Sequence, residues 1–172
     1  MKKFQYIIFL IIFLASISKA QSIESGIGVS LNTPAGSLSD ALGTGYGGTF
    51  MVKIGVPILD ITGSIEYIRF SEKEVADIKW SSAMWSVNAG ARISVLPFLS
   101  AGAEIGNYWI TITAIAENGE DDITFNKFAI TPLIAAQFGV FEASLRYAII
   151  SDAATRGAKH PSFISIRAGI YF

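Results

Sequence analysis

The chain has 172 residues, 13 basic and 14 acidic, with one histidine and no cysteine; 51% of residues are hydrophobic and only 16% charged. Without cysteine there is no disulfide scaffold, thiolate metal site, cysteine nucleophile or lipid-modified cysteine, and one histidine argues against a histidine-rich metal centre. A formal net charge of −1 gives no electrostatic reason to expect nucleic acid.

The chain opens with Lys2 and Lys3, then an apolar run, Phe4 to Ala15, broken only by Gln5. Ser18 and Ala20 stand at the −3 and −1 places of a small-residue cleavage site, so residues 1–20 read as a secretory signal peptide. A membrane-spanning helix is the rival, but the run is about a dozen residues and spanning needs roughly 20. Residues 21–172 then form one exported domain, with ten basic residues against 14 acidic.

From there the period is two, not 3.6. Strands are predicted at 24–32, 46–56, 59–70, 80–95, 98–113, 123–137, 140–150 and 161–172. Three connections are tight, near Pro57-Ile58, Leu96-Pro97 and Phe138-Gly139. Four are longer: Thr33–Gly45, Ser71–Lys79, Ala114–Asp122 and Ser151–His160. Strict alternation of short and long connections predicts an all-β, eight-stranded, antiparallel up-and-down barrel with all long loops at one end. Pro132 falls inside the sixth strand without an N–H to donate, which predicts a bulge there.

Alternation alone leaves open which face meets water. A soluble lipocalin-like binder turns its apolar face inward, whereas a transmembrane barrel turns it outward to lipid. Three features favour lipid. The polar face is Ser- and Gly-rich with scattered single charges, where a wetted surface carries many more Lys, Glu and Asp. The strands reach or exceed the roughly 9–11 residues that span a membrane. Aromatics gather near strand ends: Phe98, Phe138, Phe141 and Phe172 by the short turns, and Tyr46, Tyr67, Trp80, Trp109 and Tyr147 toward the long loops. A sheet in lipid must close, because an open edge leaves backbone groups unsatisfied.

Two segments add a family resemblance. Asn32-Thr-Pro-Ala-Gly36, running on to Gly43-Thr-Gly-Tyr-Gly-Gly48, is similar to the first-hairpin region of many small barrels. Ser162 to Phe172 alternates apolar residues, Ile164, Ile166, Ala168 and Ile170, before a final aromatic, Phe172, and resembles the assembly signal of such proteins. The chain thus resembles the eight-stranded outer-membrane barrels of OmpA/OmpX type. The resemblance implies a Gram-negative outer membrane, periplasmic termini and long loops outside. It also implies contact with outer-membrane lipids and lipopolysaccharide, and reading of the last strand by the assembly machinery. It implies no single activity.

Charges on the polar face belong in the lumen, since Arg or Lys against lipid near the midplane costs about 2–4 kcal/mol. The inward set is Lys53, Asp60, Glu66, Arg92, Glu104, Lys127, Glu142, Arg146 and Arg167. Of these, Lys53, Glu66, Arg92, Glu104, Arg146 and Arg167 are the candidate charge network. Eight strands leave an interior just wide enough for side chains, so Arg146 and Arg167 should each reach Glu66 or Glu104.

Catalytic patterns are weak. Gly43 to Gly48 matches G-x-G-x-x-G, but phosphate binding needs a strand before it and a helix after it, and here a strand follows. Ser37-x-x-Asp40 resembles a capping box, with Gly43 as a stop, predicting one short helical turn. His160 and Ser162 lack a downstream acid to orient the base. Glu117, Glu120, Asp121 and Asp122 make an acidic loop, solvated or weakly binding Ca²⁺ or Mg²⁺, without EF-hand spacing. The expectation is a monomeric, non-enzymatic outer-membrane barrel without cofactor, with a filled lumen and a structural or surface-interaction role. The alternatives are the lipocalin-like binder, a narrow solute channel and a lipid-modifying enzyme.

Overall fold

The computed structural model describes residues 22–40, 42–56, 59–75, 78–116, 119–151 and 160–172; the signal-peptide assignment lies outside them. Eight strands follow in order: β1 (Ser22–Gly36), β2 (Gly45–Gly55), β3 (Leu59–Val75), β4 (Ile78–Leu96), β5 (Leu99–Ala116), β6 (Gly119–Phe138), β7 (Phe141–Ile150) and β8 (Pro161–Tyr171). A 3₁₀ turn at Ser37–Asp40 follows β1. Each strand pairs antiparallel with its chain neighbour, and β8 returns to β1, closing the barrel. Closure continues to the last residue: Ser25 N–H donates to the Phe172 carbonyl at 3.2 Å, and Phe172 N–H to the Ser25 carbonyl at 2.7 Å.

The alternation sorts the faces. On β7 the odd positions are exposed and the even ones buried, and on β8 Ile164, Ile166, Ala168 and Ile170 point out while Ser165, Arg167 and Tyr171 point in. Outward Ile27, Val29, Leu31, Val87, Ile93, Ile105, Ile134 and Leu145 make a continuous apolar belt. A soluble barrel rarely exposes an apolar patch beyond a few hundred Å², and the buried side here holds the charges. That distribution overturns the lipocalin-like alternative. Phe98 and Phe138 stack at 5.4 Å by the short turns, while Tyr67 and Trp85 meet at 4.8 Å toward the other end.

Three expectations are corrected. Ser71–Lys79 and Ala114–Asp122 are not long loops but strand. β3, β4, β5 and β6 run 17, 19, 18 and 20 residues, and each hairpin turns within a few residues of its tip. β7 and β8 have only 10 and 11. Nor does Pro132 make a bulge. The β6–β7 ladder lapses at Thr131 and Pro132 and resumes unshifted, with Ile130 opposite Ile149 before the gap and Leu133 opposite Arg146 after it. The missing N–H interrupts pairing without adding a residue, and the ring points outward. The register shifts instead between Phe70 and Lys73, and between Ser94 and Leu96.

Glycine is required where the backbone leaves the extended region. Gly36 (φ 61°) turns β1 into the 3₁₀ segment and Gly139 (φ 59°) makes the tight β6–β7 turn, a conformation that side chains with a Cβ resist.

Candidate functional site

The lumen is built in three levels. At mid-height, six charged side chains from β3, β4, β5, β7 and β8 meet. Arg146 crosses the bore from β7 to β3, donating from Nη1 to Glu66 Oε2 at 2.7 Å and from Nη2 to Glu104 Oε2 at 2.7 Å. Arg92 donates from Nη1 to Glu142 Oε2 at 2.8 Å and from Nη2 to Glu104 Oε1 at 3.3 Å. Arg167 Nη2 stands 3.8 Å from Glu104 Oε1. Glu104 is therefore shared by three guanidiniums. Glu66 is completed by Ser30 Oγ at 2.8 Å, itself held by Asn32 Nδ2 at 2.9 Å. Three arginines balance three glutamates, and each of the six is at most 5% exposed.

Lys53 is not part of this group. It sits nearer the short-turn end, where its Nζ pairs with Glu24 Oε2 at 2.8 Å, donates to Gln137 Oε1 at 2.5 Å and lies 4.7 Å over the Tyr171 ring. With Tyr171 and Met51 it floors the lumen, linking β1, β2, β6 and β8. Asp60 is half-buried on β3, opposite Arg92 in register. Sequence reasoning missed Glu24 and Gln137, whose positions fall on the inward parity of their strands.

Above the charges the lumen is apolar. Ile68, Phe70, Met84, Tyr108, Ile110, Ala129, Ala148, Ile150 and Phe163 pack together, with Leu42 from the first loop. Phe163 is edge-on to both Phe70 and Tyr108 at 6.1 Å. The Ser- and Gly-rich reading of the inward face did not anticipate this storey. Ile68 and Phe70 continue the parity that turns Glu66 inward, as Phe163 continues that of Arg167.

The first loop roofs this storey. Leu38 of the 3₁₀ turn packs against the apolar cluster, and Leu42 N–H donates to the Leu38 carbonyl at 3.0 Å. The loop is tied to β3 by Ser71 N–H to the Thr44 carbonyl at 3.0 Å and by Lys73 Nζ to the Ser39 carbonyl at 2.6 Å. Gly45, Gly47 and Gly48 of the glycine-rich motif lie in β2, so no phosphate cradle precedes a helix. Ser162 Oγ accepts a hydrogen bond from Tyr147 OH at 3.2 Å; His160 is exposed.

Beyond the rim, β3 to β6 continue as a projecting sheet. β6 pairs with β7 only from Ala129 onward, and Ser151 N–H caps the ladder on the Phe128 carbonyl at 2.7 Å. From Gly119 to Lys127 no described strand pairs with the far edge of β6, a length of about 30 Å at strand rise. The sheet's surface is polar: Thr111 and Thr124 share a hydroxyl bond at 3.0 Å, and Thr113 Oγ1 donates to Asp122 Oδ1 at 2.6 Å. Asp121 and Asp122 are exposed. Glu117 and the Glu120 side chain lie outside the description, and no group of three or more potential metal ligands converges among the described residues.

No family model and no curated protein matches the chain. Solved structures do. The N-terminal β-barrel domain of Pseudomonas aeruginosa OprF superposes with a TM-score of 0.65 at 13% identity, covering 89% of this chain and 100% of that one. Ail, the attachment invasion locus protein of Yersinia pestis, gives 0.63 at 14% identity over 87% of this chain and 97% of Ail. Neisserial surface protein A gives 0.57 at 11% identity, with 89% and 98% covered. The chain thus has the fold of the small eight-stranded outer-membrane β-barrels.

Proposed function

We propose that this is an outer-membrane barrel, exported by residues 1–20, whose barrel is an anchor and whose projecting sheet is a surface-interaction element. The observation that carries the reading is the mismatch of strand lengths. Ten or eleven residues of β7 and β8 suffice to span lipid. The extra length of β3–β6 serves no span and ends in an edge whose backbone groups no described strand uses.

The charged and apolar storeys fill the bore, which supports an anchor over a solute channel. Ail has been seen with the heparin analogue sucrose octasulfate, but a polyanion does not suit this sheet. Its described tip exposes Glu72, Asp121 and Asp122, and the Lys73 ammonium is turned to the Ser39 carbonyl. A neutral or basic protein surface fits better.

The test is to replace residues 113–122 by Asn-Gly, shortening the β5–β6 hairpin, and to compare whole cells by proximity labelling from a tag in the 37–40 turn. The shortened protein should keep its heat-modifiable barrel and lose the labelled surface partners. An unchanged labelling pattern refutes the interaction reading, and absence of both proteins from the outer-membrane fraction refutes the location.

A further inference from the structure

The apolar storey is unevenly filled. On the side of β2–β4 and β8, Phe70, Met84 and Phe163 occupy the bore; on the side of β6 and β7 the inward residues are Ala129 and Ala148. Above these two alanines a half-enclosed cavity of about 350 Å³ opens between the 3₁₀ turn and the ends of β5–β8. Its walls are Leu38, Ile110, Phe125, Ile150 and Pro161, and its one ionisable lining residue is Lys127. Ile110 and Ile150 form the floor and are 2% and 1% exposed. The Lys127 ammonium stands 6.0 Å from the Phe125 ring centroid, at the cavity's edge.

We propose that this cavity binds a small anionic amphiphile, a carboxylate or phosphate on a short hydrocarbon body. Ligand sites are concave and apolar with a few convergent polar groups, and run from about 300 to 1,000 Å³. This one sits at the lower bound, which admits a single short chain or one ring and excludes a multi-chain lipid. The hydrocarbon lies against Ile110, Ile150 and Leu38. The head group takes one hydrogen bond from the Lys127 ammonium, whose charge selects an anion over a neutral analogue. The position also sets the source. The cavity lies where β7 ends at Ile150 and β8 begins at Pro161, above the charged layer and under the first loop. The ligand therefore enters from the external medium.

Octanoate is the probe, with the barrel in phosphatidylcholine nanodiscs and isoleucine methyls labelled for NMR. The Ile110 and Ile150 methyls report the cavity, and the outward Ile134 methyl reports partition into lipid. Octanoate should shift Ile110 and Ile150 saturably, octanol should bind at least tenfold more weakly, and Lys127→Gln should bring octanoate to the octanol level. A second variant, Leu38→Trp, fills the cavity from the roof without touching the barrel wall and should abolish both shifts. Shifts confined to Ile134, or equal affinity for octanoate and octanol, overturn the proposal. So do Ile110 and Ile150 resonances already at their bound positions in lipopolysaccharide-containing discs, which would make the occupant a membrane lipid.

Discussion

Glu104 is the carboxylate on which the lumen depends most. Its removal as Glu104→Ala takes one of two acceptors from Arg146, one of two from Arg92, and the ion pair of Arg167. Arg146 keeps Glu66 and Arg92 keeps Glu142. Arg167, 1% exposed, keeps no ion pair among those described. Breaking a buried pair by deleting one partner costs about 3–5 kcal/mol, because a desolvated charge is left behind. Since one arginine loses its counter-charge and two others lose half of theirs, Glu104→Ala should fall at the upper half of that range. Asp121→Ala, on the exposed tip, should stay within about 0.5 kcal/mol of the parent.

The assay is urea unfolding in phospholipid vesicles, with the folded fraction read from gel mobility without boiling and extrapolated linearly to water. A double variant separates charge from packing: adding Arg167→Met to Glu104→Ala removes the stranded guanidinium and should recover at least half the loss. If Glu104→Ala unfolds within about 1 kcal/mol of the parent, or if the double variant is no better than the single, the layer is wet and its ion pairs contribute little.

The folded protein should migrate differently before and after boiling and show β-type circular dichroism in micelles; identical mobility together with detergent-free solubility would refute a closed membrane barrel. In planar bilayers the parent should show no current steps above leak, because Phe70, Tyr108 and Phe163 fill the bore; stable unitary conductance would replace the plug by a channel. Lys53→Met should lower stability by about 1.5–3 kcal/mol through the loss of charged hydrogen bonds to Glu24 and Gln137; an unchanged urea midpoint would show that the floor is solvated. Phe172→Ser should reduce outer-membrane levels in cells far more than Asp121→Ala while refolding into detergent stays near normal, since it leaves the Ser25 backbone bonds in place. Parental levels in the outer membrane would reduce Phe172 to one more interfacial ring.

Strand number, order and facing were legible because a period-two pattern has only two phases and a charge on the lipid side is costly enough to fix the phase. Glu66, Arg92, Glu104, Arg146 and Arg167 could be placed at one level by counting from the short turns. The register that decides who touches whom could not be counted so well. Lys53 looked like a member of the network by type and parity, but it lies nearer the short turns and meets Glu24 instead. The apolar storey was hidden for a related reason. Ile68, Phe70, Ile110 and Phe163 are hydrophobic and so read as lipid-facing, until strand parity is carried past the charged layer. Strand ends misled because Ser71–Lys79 and Ala114–Asp122 are polar in water as loops are, and composition does not separate a solvated strand from a loop. Pro132 misled because a missing donor can be met by a gap in the ladder as well as by an extra residue.

The same physics places the functional parts outside the membrane. In lipid every backbone donor and acceptor must be paired, so the span can contain only the closed ladder and offers no free group for recognition. Unpaired edge backbone is allowed only above the rim, which is where β6 runs on from Lys127 to Gly119 without a described neighbour on one side. The cavity lies on the same boundary, deep enough to be lined by Ile110 and Ile150 and high enough to open to the medium. Its roof, the 3₁₀ turn and first loop, is bonded to Ser71 and Lys73 of β3, the first strand of the projecting sheet. Roof and sheet are one hydrogen-bonded body. Cutting the Lys73 bond with Lys73→Met should therefore raise hydrogen exchange at both the Leu42 and Ser71 amides, whereas a roof held by Leu38 packing alone would leave the Leu42 amide unchanged.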